Sequence, residues 1–411
     1  MPAATLFSGA FCNEEAVVKQ LQGDTGFKLI TDPDVIARAS RTSHMPESKI
    51  ARAFSAKTSV FNKFTHEKQL SIAHIKLAVA EMLVEDQQLI SGFAGQLIPE
   101  DVSHVLRVCL IAEMKSRIQL AVRHHGVSEK EAVRLIHKHD EDCAVWVNLL
   151  FDKSDPWDPT LYDMLIPTDK EGVEQAAALI RRNLLTDVVK VTDASKQAVD
   201  DFRLAAQVEV ALAREGHNVR VSAKSGTVAI TITKHVLMLG RLEEELKSIG
   251  GRVPGVKQIE TQVGKGFHQT DIYRKYDFNA PSKVLLVDDE REFVQTLSER
   301  LLMRDVGSAV AYDGESALEM VQHDEPEVMI LDLKMPGIDG IEVLKRVKQT
   351  QPDIEVIILT GHGTEADREV CMKLGAFAYL QKPVDIDVLS ETLRKANEKV
   401  RQGRQAKSQE S

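Results

Sequence analysis

Aromatic residues, paired cysteines and long apolar runs are all scarce in this sequence of 411 residues. Phe, Trp and Tyr make up 5% of it, which argues against the base-stacking surfaces of proteins that bind single-stranded nucleic acid. The four cysteines, Cys12, Cys109, Cys143 and Cys371, form no C-x-x-C pair. Neither a zinc site nor a disulfide framework is therefore predicted. No apolar run approaches the length that crosses a bilayer.

Basic residues are also fewer than acidic residues. The formal net charge is -10 at pH 7, whereas nucleic-acid affinity comes largely from clustered Lys and Arg. Because no helix-turn-helix pattern is found either, we expect no nucleic-acid partner, and a transcription factor is disfavoured. The first residues lack the basic flank and apolar core of a signal peptide, so we expect a cytoplasmic protein. The length allows roughly two to four domains.

The C-terminal part of the chain, residues 282–400, alternates short apolar runs with amphipathic stretches in five β/α units. Strands that are apolar throughout are buried on both faces. The pattern therefore predicts a doubly wound sheet of five parallel strands with helices on both sides. Ligands of such sheets bind at the carboxyl ends of the strands.

Polar residues follow four of these predicted strands. Asp288 and Asp289 follow the first strand, Asp332 the third, Thr360 the fourth and Lys382 the fifth. Three crowded carboxylates repel one another, and a hard cation with oxygen ligands, Mg²⁺, relieves that repulsion. Asp332 can then act as a nucleophile towards a phosphoryl group whose oxygens Lys382 and Thr360 bind. The alternative is an acidic rim that only solubilises the sheet edge, and the match of all five residues to strand ends argues against it.

Over its full length this segment resembles the receiver domain of two-component response regulators. The resemblance implies a flavodoxin-like fold in which Asp332 is the phosphoacceptor for a sensor histidine kinase. It implies Mg²⁺ as the cofactor, with the ligands Asp288, Asp289, Asp332 and the backbone carbonyl of Lys334. It also implies that Thr360, Tyr379 and Lys382 form the switch, with Tyr379 turning inward once Thr360 moves.

The N-terminal stretch has the strand, loop and helix order of a phosphate-binding loop but not its residues. An apolar strand runs into Gly9, and a helical pattern begins at Glu14. Counted from Gly9, the glycine, lysine and serine or threonine of such a loop fall on Glu14, Glu15 and Ala16. Two carboxylates favour the helix dipole but repel a phosphate. We therefore predict that phosphoryl transfer is absent, because the phosphate and metal anchors are both missing.

Residues 5–185 nevertheless resemble the cytidylate-kinase-like branch of the P-loop nucleoside monophosphate kinases. The resemblance rests chiefly on residues 117–133 and 155–163. It implies an α/β fold with a parallel sheet and a lid whose arginines close on the phosphates. The candidate nucleotide-binding residues are then Gly9, Arg117 and Arg123.

This resemblance has one further departure and leaves two interpretations open. Phe93 stands where the family usually has an arginine. We interpret residues 1–190 as a domain that keeps the fold without catalysis and senses a small-molecule or nucleotide ligand or contacts proteins. The alternative is an active nucleotide phosphotransferase controlled by the receiver. Arg117 and Arg123 can equally be solvated residues of amphipathic helices.

The middle segment, residues 196–268, reads as helix, β-hairpin, helix and strand. A turn at Lys224–Gly226 joins the hairpin strands, and Val253-Pro254-Gly255 leads into the last strand. The order resembles a small α+β BON domain, although Thr233 and Lys234 replace that family's usual glycine. The resemblance implies contact with phospholipid or another apolar ligand. Without an export signal, we favour ligand sensing or protein contact over membrane contact.

Two remaining segments lack a regular pattern. Residues 269–281 are predicted to be a linker, and residues 401–411 a polar tail. The whole sequence thus predicts a multidomain α/β response regulator, with phosphorelay signalling through Asp332 and an output in the N-terminal domains.

Overall fold

The computed structural model describes residues 2–56, 67–85, 87–233, 236, 239–264, 283–302, 306–361 and 363–409. These residues divide into two compact units, one before residue 265 and the other after residue 282. The predicted linker, residues 269–281, lies outside the described residues. Among the described helices, none combines the length and the apolar character that a membrane crossing requires.

The first unit contains a five-stranded parallel sheet with the strand order β2-β3-β1-β4-β5. Side chains alternate across the central strand, so that Ala3 and Phe7 enter the core on one face while Ala4 and Leu6 enter the core on the other. The parallel sheet predicted for this segment is therefore present. Its strands are β1 (Ala3–Ser8), β2 (Lys28–Thr31), β3 (Gln88–Ser91), β4 (Val105–Ile111) and β5 (Met164–Pro167).

Helices cover both faces of this sheet. Ser128 caps one of them by accepting a hydrogen bond from the backbone N–H of Glu131, as its position before a helical pattern predicts. The eight α-helices described before residue 190 are α1 (Glu14–Thr25), α2 (Asp32–Ser43), α3 (Glu47–Ala51), α4 (Glu67–Met82), α5 (Met114–His125), α6 (Glu129–Phe151), α7 (Thr168–Glu171) and α8 (Val173–Leu184).

The middle segment follows the predicted order of elements. Helix α9 (Asp193–Arg214) precedes strands β6 (Arg220–Lys224) and β7 (Thr227–Ile232), then helix α10 (Leu239–Gly250) and strand β8 (Gln258–Val263). The strands form one sheet in which β6 pairs antiparallel and β8 parallel with β7. The hairpin turn has positive φ at Ser225 and Gly226, the conformation that tight two-residue hairpins need.

Helix α9 belongs to two hydrophobic cores. Val199 and Phe202 pack into the core of the first sheet, while Leu204, Val208 and Leu212 pack under the three-stranded sheet. Lys76 of α4 and Glu209 of α9 add an ion pair at 2.9 Å. The predicted boundary between residues 190 and 196 stays a prediction, but the two segments share this helix within one compact unit.

The second unit is the doubly wound sheet that the sequence predicts. Its five parallel strands have the order β10-β9-β11-β12-β13, and one hydrophobic core lies on each face. The strands are β9 (Val284–Val287), β10 (Ser308–Ala311), β11 (Val328–Leu331), β12 (Glu355–Thr360) and β13 (Ala378–Gln381). The helices are α11 (Arg291–Leu302), α12 (Gly314–His323), α13 (Gly340–Thr350), α14 (Glu365–Lys373) and α15 (Ile386–Gln409).

The polar tail predicted for residues 401–411 stays a prediction, and α15 continues into it as far as Gln409. The stretch contains Arg, Gln, Lys and Ala, which are good helix formers, and no proline to stop a helix that has already nucleated.

Candidate functional site

Three carboxylates meet at the carboxyl edge of the second sheet, as predicted. Oxygen atoms of Asp288, Asp289 and Asp332 all lie within 4.8 Å of one another. Asp288 and Asp332 are each 5% exposed, whereas Asp289 is partly exposed. Such crowding of partly desolvated negative charge favours a cation among the carboxylates.

The register of the sheet explains why these residues meet. Leu331 of β11 lies opposite Val287 of β9, so the next residue of each strand, Asp332 and Asp288, emerges at the same level. The backbone N–H of Asp332 donates to the Val287 carbonyl at 2.9 Å and extends the ladder by one residue. Asp332 is thus held by the sheet rather than by a loop.

Gly340 allows the start of helix α13 to lie close to the backbone of Asp332 and Leu333. A Cβ atom at this position would collide with the Asp332 carbonyl oxygen and approach the Leu333 Cα to 2.7 Å. The Gly340 N–H donates to the Leu333 carbonyl at 3.0 Å, and Asp339 caps α13 through the Glu342 N–H. Helix α13 can therefore begin directly against the backbone of Asp332 and Leu333.

Lys382 supplies a positive charge to the cluster. Its Nζ lies 2.7 Å from Asp288 Oδ2, 3.0 Å from Glu290 Oε1 and 3.7 Å from Asp332 Oδ2. The same ammonium lies 4.4 Å from the centroid of the Phe293 ring, a favourable cation–π distance. In this arrangement Lys382 is bound more closely to the loop after β9 than to Asp332.

The pKa values of this pair reflect burial and mutual attraction. Burial raises the pKa of Asp288, and its hydrogen bonds with Lys382 and the Glu290 N–H offset only part of that rise. For Lys382, burial acts to lower the pKa, but the hydrogen bonds to Asp288 and Glu290 outweigh it and the pKa is raised. The neighbouring carboxylates therefore stabilise the protonated form of Lys382.

The predicted switch residues lie on the neighbouring strands. Thr360 is fully buried at the end of β12, and its carbonyl accepts from the Lys382 N–H at 2.9 Å. The Tyr379 hydroxyl packs against Gly363, close to the Thr360 side chain. That hydroxyl is buried and has no hydrogen-bond partner among the described residues. The Lys334 side chain, two residues after Asp332, is exposed.

The residues present fit a hard divalent cation. Asp288, Asp289 and Asp332 offer carboxylate oxygens close enough to share one ion, and oxygen ligands are those that Mg²⁺ prefers. No His or Cys belongs to this cluster of described residues, which argues against zinc.

The first sheet also presents acids at its carboxyl edge, but each has local partners. Both oxygens of Glu14 accept hydrogen bonds, one from the Ser8 hydroxyl and one from the Ser91 hydroxyl. Asp32 accepts from the backbone N–H groups of Phe93 and Ala94 at 2.8 and 2.9 Å. Burial, together with the charge of Glu14, raises the pKa of Asp32 to about 6 despite these hydrogen bonds.

These acids border a cavity of about 320 Å³ whose lining carries no Lys or Arg among the described residues. Glu15 and His139 also line it. The described lining of this cleft therefore has the wrong charge for an anion.

Two of the three candidate nucleotide-binding residues, Gly9 and Arg117, lie side by side. Arg117 is 6% exposed, and its guanidinium binds Asp140 through two hydrogen bonds of 2.9 and 2.6 Å. Its Nε donates to the Ala10 carbonyl at 2.8 Å, beside Gly9. Arg123 is exposed in the last turn of α5. Arg117 is thus a buried loop anchor, and the view of it as a solvated helix residue is wrong.

Phe93 belongs to an aromatic cluster behind this cleft. Its ring lies 5.6 Å from that of Phe7 and 5.4 Å from that of Phe54, measured between centroids. The Trp146 indole N–H donates to the Phe93 carbonyl at 3.0 Å. The residue that replaces the family's arginine is therefore part of the core packing.

Three residues of these sites were missed by reasoning from the sequence. Glu290 directly follows the acidic pair, so its proximity was a usable signal. Gly340 follows a helix-capping aspartate, but only the structure shows what its Cβ would meet. Asp32 gave no signal, because its partners, Phe93 and Ala94, lie 61 and 62 residues further along the chain.

Comparisons with known proteins find one matching family for the second unit and one for the N-terminal part of the first unit. Residues 284–394 match the family described as Response regulator receiver domain, and residues 5–170 match the Cytidylate kinase-like family. Over 102 residues, the chain is 44% identical to the transcriptional regulatory protein CpxR of Escherichia coli K12, covering 25% of this chain and 43% of CpxR. Over 112 residues, it is 33% identical to the response regulator MprA of Mycobacterium ulcerans, covering 27% of this chain and 48% of MprA.

Among solved structures, a response regulator receiver domain protein from Clostridium thermocellum aligns with 34% identity and a TM-score of 0.28. The alignment covers 28% of this chain and 94% of that one. The chain spans about half the length of the curated relatives it matches, CpxR and MprA. The predicted receiver domain and the predicted likeness to cytidylate kinases are both confirmed.

Proposed function

We propose that the chain is a two-component response regulator that receives a phosphoryl group from a sensor histidine kinase on Asp332. The observation that carries this proposal is the convergence of Asp288, Asp289 and Asp332 with Lys382 at one sheet edge. The match of residues 284–394 to receiver domains supports it.

In the proposed reaction a carboxylate oxygen of Asp332 attacks the phosphorus of a phosphohistidine. The new O–P bond forms as the N–P bond breaks, and the histidine nitrogen leaves with the electron pair and takes up a proton. Bound Mg²⁺ would offset the charge of the phosphoryl oxygens. Lys382 would move from Glu290 towards those oxygens, and the Thr360 hydroxyl would donate to one of them. Tyr379 and Thr360 would then hold the phosphorylated state.

For the N-terminal unit we propose a non-catalytic role in ligand sensing or protein interaction. The cleft carries Glu14, Glu15 and Asp32 without an opposing Lys or Arg in its described lining, and Arg117 is committed to Asp140. A phosphate entering there would meet only like charge. The helix, hairpin, helix and strand order of the middle segment is consistent with a BON-like module for ligand or protein contact.

Labelling tests the phosphoacceptor. With an acyl phosphate and Mg²⁺, the wild-type chain should gain one phosphoryl group, detected by intact-protein mass spectrometry, and Asp332→Asn should gain none. Asp339→Asn, a helix-capping aspartate nearby, is the matched control and should still be labelled. Labelling of Asp332→Asn to the wild-type level would refute the assignment.

Calorimetry tests the N-terminal unit. Titration with ATP and with CMP, each with Mg²⁺, should show no turnover and no phosphate-dependent binding. Measurable conversion of CMP by the wild-type chain, lost in Arg117→Ala but kept in Asp332→Asn, would instead establish the nucleotide phosphotransferase.

A further inference from the structure

Glu290 binds the Lys382 ammonium more closely than Asp332 does. Lys382 Nζ donates a hydrogen bond to Glu290 Oε1 at 3.0 Å, whereas Asp332 Oδ2 lies 3.7 Å from it. The first distance is that of a hydrogen bond between opposite charges, and the second is too long for a hydrogen bond. In this structure the lysine is therefore bound to the loop after β9 and not to the phosphoacceptor.

Both ends of this contact start from a backbone that is held in place. Glu290 directly precedes α11, and its carbonyl accepts from the Val294 N–H at 3.0 Å. Its own N–H donates to Asp288 Oδ1 at 3.0 Å. At the other end, the Lys382 N–H donates to the Thr360 carbonyl at 2.9 Å. The ion pair therefore costs less conformational entropy than one between two mobile loops.

The two partners differ in how easily they can leave each other. The Lys382 side chain is 12% exposed, whereas the Glu290 side chain is 65% exposed. Lys382 Nζ also lies 4.4 Å from the centroid of the Phe293 ring, which packs against the hydrophobic core. Glu290 can thus be hydrated when the lysine departs, so the pair restrains Lys382 without locking it.

Glu290 lies outside the set of carboxylates that can share a cation. That set consists of Asp288, Asp289 and Asp332. A cation bound there would compete with Lys382 for the oxygen atoms of Asp288. It would leave the hydrogen bond to Glu290 in place, so this is the contact that a phosphoryl group on Asp332 has to replace.

We propose that Glu290 is a positioning residue of the phosphorylation site, which restrains Lys382 until a phosphoryl group is present. The lysine must leave Glu290 to reach the phosphoryl oxygens. The affinity of the site for a phosphoryl group is therefore lowered by the fraction of chains in which Glu290 holds the lysine. This inference rests on the proposed reaction at Asp332 and adds a residue that opposes it.

Beryllofluoride with Mg²⁺, which imitates a phosphoryl group on a carboxylate, tests the restraint at equilibrium. By calorimetry on the full-length chain, Glu290→Gln should have a dissociation constant about twofold to fivefold lower than that of the wild type, as expected for a partly exposed ion pair. Glu292→Gln, at an exposed acid in the first turn of α11, is the matched control. It removes the same charge two residues away and should bind as the wild type does.

Nuclear magnetic resonance of the chain labelled with ¹⁵N-lysine tests the contact itself, without Mg²⁺ or beryllofluoride. A hydrogen-bonded ammonium exchanges its protons slowly, so the wild type should show a Lys382 ammonium signal, assigned by its absence from Lys382→Arg. That signal should be lost in Glu290→Gln through faster exchange and kept in Glu292→Gln.

The outcomes separate this inference from the proposed reaction. A wild-type chain that binds no beryllofluoride would refute the reaction and the restraint with it. Binding that Glu290→Gln does not strengthen, or that Glu292→Gln strengthens equally, would refute the restraint alone. A Lys382 signal that is absent from the wild type, or unchanged in Glu290→Gln, would also overturn it.

Discussion

At the carboxyl edge of the second sheet, Lys382 lies 2.7 Å from Asp288 and 3.7 Å from Asp332. At the same edge of the first sheet, no lysine or arginine among the described residues lines the cleft that holds Glu14 and Asp32. Instead, serine hydroxyls and backbone N–H groups bind those two acids. Both sheets have five parallel strands, and both gather acids where such sheets bind ligands.

The difference lies in which charges are left for a ligand. At the first sheet, Arg117 is neutralised by Asp140 within the fold, and the acids are satisfied locally. At the second sheet, Asp288, Glu290 and Asp332 share one lysine, and the site keeps an excess of negative charge that a divalent cation can use. Acids at strand ends are therefore not sufficient for phosphoryl chemistry, because the position of the opposing cation decides what the edge can bind.

The largest expected effect concerns the glycine beside each acid. Gly340→Ala should lower the free energy of unfolding of the second unit by about 3 kcal/mol or more, because its Cβ would meet backbone atoms that cannot move away. Gly92→Ala should cost about 1 to 2 kcal/mol, since its Cβ would meet the Asp32 side chain and its φ is +119°. Hydrogen exchange of β9 and β3 peptides reports the two units separately. Equal costs at the two glycines would contradict the comparison. The control is Gly403→Ala, at a glycine inside α15 with open space around it, which should stabilise the helix by about 0.5 to 1 kcal/mol.

The second prediction concerns the pH dependence of the first unit. The pKa of Asp32 is raised from 3.8 to about 6, so the folded state binds the proton more tightly than the unfolded state. Wild-type stability should therefore fall relative to Asp32→Asn as pH rises from about 4 to about 6, by about 2 to 3 kcal/mol, and stay level above pH 6. Both tryptophans, Trp146 and Trp157, lie in this unit, so fluorescence during urea unfolding follows it alone. A pH-independent difference would show that Asp32 ionises normally.

The third prediction is that Mg²⁺ stabilises the second unit but not the first, with a somewhat smaller change in the free energy of unfolding. At a concentration 100 times its dissociation constant, Mg²⁺ should stabilise the second unit by about 2.7 kcal/mol and leave the tryptophan-reported transition of the first unit unchanged. Asp288→Asn should abolish the stabilisation, whereas Glu319→Gln, at an exposed acid of α12, should retain it. Equal stabilisation of both units in differential scanning calorimetry would contradict the contrast between the edges.

The smallest effect concerns the local partners of the first edge. Ser91→Ala removes one of the two hydroxyl donors to Glu14 and should cost about 1 to 2 kcal/mol, as expected for a hydrogen bond to a charged group. Ser222→Ala, at an exposed strand residue of β6, is the control. A neutral Ser91→Ala would mean that Glu14 does not depend on this hydroxyl and remains available to a ligand.

Reasoning from the sequence predicted the second unit almost completely. Continuous apolar strands alternating with amphipathic helices fix a doubly wound sheet, and residues that directly follow parallel strands must meet at one edge. Asp288, Asp289, Asp332, Thr360 and Lys382 could thus be placed by local position alone. Only the structure could show that Glu290 is a second partner of Lys382, because the two residues lie on loops that are 92 residues apart in the sequence.

For the first unit, the sequence by itself determined the parallel sheet and the loss of the phosphate-binding loop residues, since both follow from the local order of residues. Only the tertiary structure decided what replaced that loop. Arg117 turns inward to Asp140 and Ala10, Asp32 binds the backbone of a distant segment, and α9 joins two cores. A buried charge takes whichever partner the packed chain brings near it, and that choice depends on residues far apart in sequence.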